Sequence, residues 1–261
     1  MNRSGRFDYN TAIALREMDG FTPWNAMGER EAMGITVTGE DIWRGNELDP
    51  LPTSHTTIPL PAEAGEQMTV VSESDADNGA TATGILTLRI DYLDATGEMQ
   101  SEDITLDGTT PVNTVATDIR FVNDMYSLSP VGSNGVAEGH IKIYKTGSAG
   151  LVYNMIALGG NKSLVPHRMV PLDHKLLLKG WHATEAQNKR CTVRIRSTHM
   201  NGDLLPGVFC FQDVTYLKQS ASGWLVLEEM VPALSLVKGT GWVVVPGAET
   251  SCSWRGWLIH D

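Results

Sequence analysis

Short apolar runs separated by turn residues recur along most of this chain, and their period is two. Residues 85–92 show it most clearly. Ile85, Thr87, Arg89 and Asp91 fall on one side, and Leu86, Leu88, Ile90 and Tyr92 on the other. That is the alternation of a strand with one wet and one dry face. Asp94-Ala95-Thr96-Gly97 and Asp107-Gly108 are turn signals that set off further runs at 102–106, 119–122, 140–144 and 152–156,. With Met68–Ser72 these make about seven short strands between residues 62 and 162, the spacing of an antiparallel sandwich. From 163 to 261 the style repeats, with runs at 176–178, 191–195, 208–211, 214–217, 224–227, 234–237, 242–245 and 254–259. One helical turn is expected around 224–230. The pattern predicts an all-β chain with two antiparallel β-sandwich modules, Ig-like or jelly-roll-like, over 62–162 and 163–261.

Residues 1–61 read differently. A short helix is expected over 9–19, closed by Gly20. Then Pro23, Trp24, Gly28, Gly34, Gly39, Trp43 and Gly45 follow at irregular spacing. Four prolines between 49 and 61 exclude helix and central strand there. The expectation is an extended N-terminal arm and connector. Its aromatics Phe7, Tyr9, Phe21, Trp24 and Trp43 are candidate assembly contacts with neighbouring subunits. Of the remaining tryptophans, Trp254 and Trp257 are three apart. A regular strand puts them on opposite faces, so at least one is expected to be an exposed aromatic facing a partner.

Composition narrows the function. Apolar residues are 41% and charged residues 20% of the chain, values of an ordinary globular protein,. The net charge of −11 disfavours nucleic acid and anionic membrane surfaces as partners,. Arg3, Arg6 and Arg16 place local positive charge at the start, suited to an acidic neighbour or to plain solvation. No run of eighteen apolar residues occurs, and the first residues lack the apolar stretch of a signal peptide,. The three cysteines, Cys191, Cys210 and Cys252, sit in β-type surroundings without a CxxC pair. Free buried thiols in a reducing compartment are expected.

Candidate chemistry is thin. Nucleophile-elbow, dinucleotide, P-loop and HExxH motifs are absent,. The seven histidines show no metal-ligand spacing, although His167, His174 and His182 cluster loosely. The loop Asp75-Ala76-Asp77-Asn78-Gly79 starts like a calcium loop but lacks the flanking helices and late glutamate, so an acidic turn is the simpler reading. Asp103, Asp107, Asp118 and Asp124 are carboxylates that two-acid glycoside hydrolysis would require in a close pair. No enzyme, cofactor or metal is expected.

Several segments resemble their counterparts in a group of virion structural proteins of tailed bacteriophages. They are Val70-Val71-Ser72-Glu73-Ser74-Asp75-Ala76-Asp77, Thr105-Leu106-Asp107-Gly108-Thr109-Thr110-Pro111-Val112, Gly132-Ser133-Asn134-Gly135 and Ile156-Ala157-Leu158-Gly159-Gly160-Asn161. Thr38-Gly39-Glu40-Asp41-Ile42-Trp43 resembles the group as well. The likeness covers about residues 35–185. It departs at Asp107, where the group usually has Asn, and at Pro171-Leu172-Asp173, which replaces Pro-Ala-Gly. The resemblance implies a non-enzymatic virion component, folded in the host cytoplasm and then built into the particle. Capsid decoration, collar and tail or baseplate positions all fit. The implied partners are further copies of the chain, as a trimer by analogy, and other virion proteins. A receptor-binding adhesin of a tail fibre, holding host glycan on an aromatic surface in the last hundred residues, is the alternative. A polysaccharide-degrading enzyme is the third reading.

Overall fold

The computed structural model describes residues 12, 19–48, 56–78, 83–129 and 135–260. These residues form an all-β protein of nineteen strands and one 3-10 turn, Arg44–Glu47. All the strand pairings are antiparallel.

One sheet pair occupies the middle of the chain. β3 (Met68–Ser72), β6 (Val112–Asn113), β8 (Ile141–Lys145) and β9 (Val152–Ile156) form a sheet in the order β6-β3-β8-β9. β4 (Thr87–Leu93), β5 (Met99–Thr105) and β7 (Phe121–Ser127) form another, in the order β5-β4-β7. The dry face read from the alternation is the one that packs inward. Leu88, Ile90 and Tyr92 of β4 meet Met68, Val70, Ile141 and Ile143 of the facing sheet in one core. Burying each such aliphatic side chain contributes about 2 kcal/mol.

The second sheet pair is assembled from both ends of the chain. β1 (Phe21–Met33), β11 (His174–Glu185), β16 (Ser220–Ala221), β17 (Leu225–Val231) and β19 (Ala248–His260) form one sheet, with β19 between β1 and β11 and both β16 and β17 on the far side of β11. β2 (Glu40–Asp41), β10 (Arg168–Met169), β12 (Cys191–Ser197), β15 (Cys210–Leu217) and β18 (Leu236–Val243) form the other, in the order β10-β18-β12-β15 with β2 added to β18. Trp181, Trp254, Leu176 and Ala26 of one sheet share a core with Val193, Ile195, Val237 and Val243 of the other. A short ribbon of β13 (His199–Met200) and β14 (Asp203–Leu204) lies apart. Residues 225–231, expected in part as a helical turn, are strand β17.

The leading segment is the main correction. Its described part is not an arm reaching for other subunits. Residues 21–33 pair with β19 in register from Phe21 opposite Ile259 to Arg30 opposite Thr250. Trp24, Ala26, Gly28 and Arg30 turn toward the core, and Pro23, Asn25 and Met27 turn to solvent. β1 is an edge strand, where a proline costs little. The glycines that look like breaks serve close packing instead. A Cβ at Gly28 would lie 2.2 Å from the Pro166 ring, and one at Gly45 would lie 2.3 Å from the Trp43 indole. Arg30 is buried on Glu40 at 2.7 Å, and that carboxylate also accepts from the Gly34 amide at 3.1 Å. Asp41, equally buried, accepts from Lys238 Nζ at 2.9 Å and from the Ile58 amide at 2.9 Å.

The same segment then crosses to the other sheet pair. Trp43, Leu48 and Ile58 pack on Val71, Tyr144, Val152 and Met155, against the β3–β8–β9 sheet. A smaller cluster of Leu93 and Phe121 with Leu236 also joins the two pairs. The leader is therefore the joint between the two halves of one chain.

Candidate assembly surface

The residues singled out for assembly separate into three groups. Phe7 and Tyr9 lie outside the described residues. Trp43 and Trp254 are fully buried, which corrects both as contacts with partners. Trp43 fills the joint between the sheet pairs, and Trp254 donates from Nε1 to the Pro166 carbonyl at 2.9 Å. Trp24 is half-buried and meets Trp254 edge to face, with ring centroids 5.6 Å apart. Phe21 and Trp257 are the pair that the structure brings to one outer surface, that of the β1–β19–β11–β17 sheet.

On that surface the register aligns Pro23, Trp257, Leu177 and Met230 in one row across four strands. The outward position two residues further along β19 is Ile259, flanked by Phe21 and Lys175. Toward the other end, Val226 and Trp224 stand exposed, the latter beneath the Arg255 guanidinium at 4.4 Å. Met27 is exposed on the same face. A row of apolar side chains on the solvent side of a folded sheet is what subunit contacts bury. Leu177, Met230 and Val226 were not singled out from the sequence. The alternation of the strands carried the signal, because Leu176-Leu177-Leu178 must turn its middle residue outward once its neighbours face the core.

The other sheet of this half has a different outer face. Outward positions on β12 are Thr192, Arg194 and Arg196. They lie between Tyr216, Val214 and Phe211 of β15 and Trp242, Thr240 and Lys238 of β18. The Arg194 guanidinium sits 4.2 Å from the Trp242 ring and 4.4 Å from the Phe211 ring. Lys238 lies 4.2 Å from Phe209, and Arg196 5.1 Å. Trp242 also lines an open groove of about 600 Å³, together with Tyr216, Val244, Arg190 and Lys218.

Three of the four candidate catalytic carboxylates are engaged internally. Asp103 forms a two-point bond with Arg89 at 2.6 and 2.8 Å, which holds its carboxyl below the usual range. Asp107 accepts from Asn78 at 3.1 Å. Asp118 is exposed. Asp124 is held by Lys162 at 2.8 Å and Arg168 at 3.1 Å. Across the β4–β7 ladder it faces Asp91, whose pKa is raised by burial and then by the Asp124 charge. Of the four carboxylates named from the sequence, none is paired with another. Asp77 of the acidic loop is buried, taking bonds from Ser72 Oγ and from the Ile85, Glu138 and Gly139 amides at 2.6–3.1 Å. Those donors make it an anchor for three loops.

His167 is buried, and desolvation lowers its pKa to about 4. His174 stacks edge to face on His260, and His182 lies near Trp224, so the three histidines clustered in sequence do not meet. Ser197, His199 and Glu229 form a hydrogen-bonded chain, with Ser197 Oγ 2.5 Å from His199 Nδ1 and His199 Nε2 3.1 Å from Glu229. That order has the look of a nucleophile with its base. Ser197 and His199 are fully buried, however, and Gln212 also caps the serine at 2.8 Å. The chain ties β12 to β17 through the core. The cysteines are free thiols, and burial pushes those of Cys191 and Cys252 up to about 12. Among the described residues no cluster of three or more metal-ligating side chains occurs.

No family model matches this chain, and no characterised protein matches its sequence.

Proposed function

We propose that this chain is a non-enzymatic structural component of a phage particle that works by self-association. Its place would be an accessory one, as a capsid decoration, collar or tail piece. The observation that carries the self-association is the solvent-facing row Pro23–Trp257–Leu177–Met230 on the β1–β19–β11–β17 sheet. The phage assignment rests on the sequence resemblance over residues 35–185. The mechanism is binding energy: copies bury this row and are held in place by mass action. The leader does not anchor the chain by itself in this reading, since its described part belongs to the fold. A second reading, a receptor-binding surface for host glycan, is favoured by the exposed rings of Phe211, Tyr216 and Trp224.

Light scattering on the purified chain tests the first reading, with an oligomer above the monomer mass expected. Trp257→Ser with Met230→Ser should raise its dissociation constant at least tenfold while the circular dichroism stays unchanged. Detection of the chain in purified particles by mass spectrometry tests the location. A strictly monomeric chain, or particles without it, would remove the proposal. Binding to a glycan array by the monomer would support the second reading instead.

A further inference from the structure

Two sheet edges of this chain border surfaces of opposite charge, cationic on the β12 face beside β15 and acidic along β5. β15 is the open edge of its sheet, and β5 is the open edge of its own. Open edges are normally protected by lysine, proline or a covering segment. β15 has neither lysine nor proline, and Phe211, Val214 and Tyr216 project from it, with Tyr216 77% exposed. Beside it, Arg194 and Arg196 stand two residues apart on β12, a spacing of about 7 Å. Rings cover the faces of the Arg194 guanidinium. Among the described residues neither arginine has a carboxylate within ion-pair distance, and Arg196 Nε is shielded from water without an acceptor there. The buried acid whose charge reaches Arg196, Asp41, is taken by Lys238 at 2.9 Å. Holding two like charges together without counter-charge is costly, and a shielded donor without an acceptor adds to that cost. Aromatic rings and arginine are also the residues that protein interfaces concentrate.

The counter-charge is present elsewhere on the same chain. Along β5 and the turns beside it, Glu98, Asp103, Asp107 and Asp118 are exposed. Glu102 holds the neighbouring segment in place by accepting from the Val115 and Ala116 amides at 2.7 and 3.1 Å. This brings Val115, 87% exposed, alongside the strand. Met99 adds a second exposed apolar group. Arg89 offsets part of the charge through Asp103, which leaves the edge acidic. Apolar and acidic groups thus stand along β5, and apolar and cationic groups on the face beside β15.

We infer that the Arg194/Arg196 face beside β15 docks the acidic β5 edge of a second copy, in a head-to-tail contact. The contact joins two different surfaces. Repetition therefore closes into a ring if the rotation allows, or extends as a chain if it does not. The inference rests on the self-association proposed above and adds a second, charged contact to the apolar one.

Sedimentation equilibrium on the intact chain at 20–500 mM salt tests it. The comparison uses Arg194→Glu/Arg196→Glu and Glu98→Lys/Asp118→Lys, with Arg194→Gln/Arg196→Gln as a gentler variant in case the first misfolds. Each charge-reversed chain should associate at least tenfold more weakly than wild type at low salt. An equimolar mixture of the two should recover association, because reversed partners complement each other. Weakening of wild-type association by salt is also expected. If the variants associate like wild type while Trp257→Ser/Met230→Ser does not, the head-to-tail contact is wrong and the apolar one stands. If wild type is monomeric throughout, both fall. Loss from the arginine variant without loss from the acidic one rejects β5 as the partner. Binding of a polygalacturonate hexamer, lost in the arginine variants with self-association intact, would overturn the inference and assign the face to an acidic polysaccharide.

Discussion

The two sheet pairs are built from the same kind of strand but close in different ways. The middle pair is made of consecutive strands joined by turns, and its surface is finished with internal polar bonds. Asp77 gathers three loops, Glu66 takes Lys145 and Tyr153 at 2.7 and 2.8 Å, and Arg89 takes Asp103. The second pair is closed by residues from opposite ends of the chain, β1 against β19 and β2 against β18. Its outer faces keep Trp224, Val226, Met230, Phe211, Val214 and Tyr216 open to solvent. Where a fold satisfies most of its own surface, what remains for a partner is confined to its edges, here the acidic β5 edge. Where it leaves aromatics and unpaired arginines outside, the remaining binding energy is available to another molecule.

This contrast can be broken most severely by removing residues 1–61. The second sheet pair should lose cooperative unfolding altogether, because β1, β2 and the Met33 and Ile42 side chains leave with the segment. The middle pair should retain protected amides. Hydrogen exchange read by mass spectrometry separates the two, and equal protection in both halves would contradict the idea. Trp43→Ala is the single-residue form of the same test. Emptying the joint should cost about 3–5 kcal/mol in urea unfolding. Asp77→Ala strikes the middle pair instead, stranding several buried donors at a cost of about 3 kcal/mol.

Acid provides a gentler way to tell the halves apart. His167 packs beside Asp41, Lys238 and the Gly239 backbone of the second pair, and its folded pKa of about 4 lies below the usual 6.5. The unfolded chain therefore binds a proton more readily. Stability is complete above pH 6.5 and declines as the pH falls toward 4, by up to roughly 3 kcal/mol. His167→Gln should flatten that slope, seen as melting temperature against pH. Asp91 behaves oppositely, because a raised carboxyl pKa destabilises the charged form in the fold. Asp91→Asn should stabilise the chain at pH 7 and change nothing near pH 3,. Val214→Ser should be smallest of all, within about 0.5 kcal/mol for folding, since the side chain touches solvent already.

Much of the middle pair was legible along the chain because its contacts are local. The alternation at 85–92 fixed which face of β4 is dry, and Asp94–Gly97 marked the hairpin to β5. The leader was not legible for a physical reason. Gly28 and Gly45 read as breaks, yet each makes room for a ring from a distant or neighbouring residue, and nothing local distinguishes the two uses. Trp254 and Trp257 were separable into opposite faces by their spacing. Which of them met solvent depended on where the partner sheet lay.

Period-two patterning and turn residues by themselves determined that this chain is all β, because side-chain direction in a strand is a local property of the backbone. Tertiary structure alone decided that the leader closes the second half and that Arg194, Arg196, Phe211 and Trp242 share one face. Those juxtapositions come from strand order, and strand order joins residues more than two hundred positions apart that no local pattern connects.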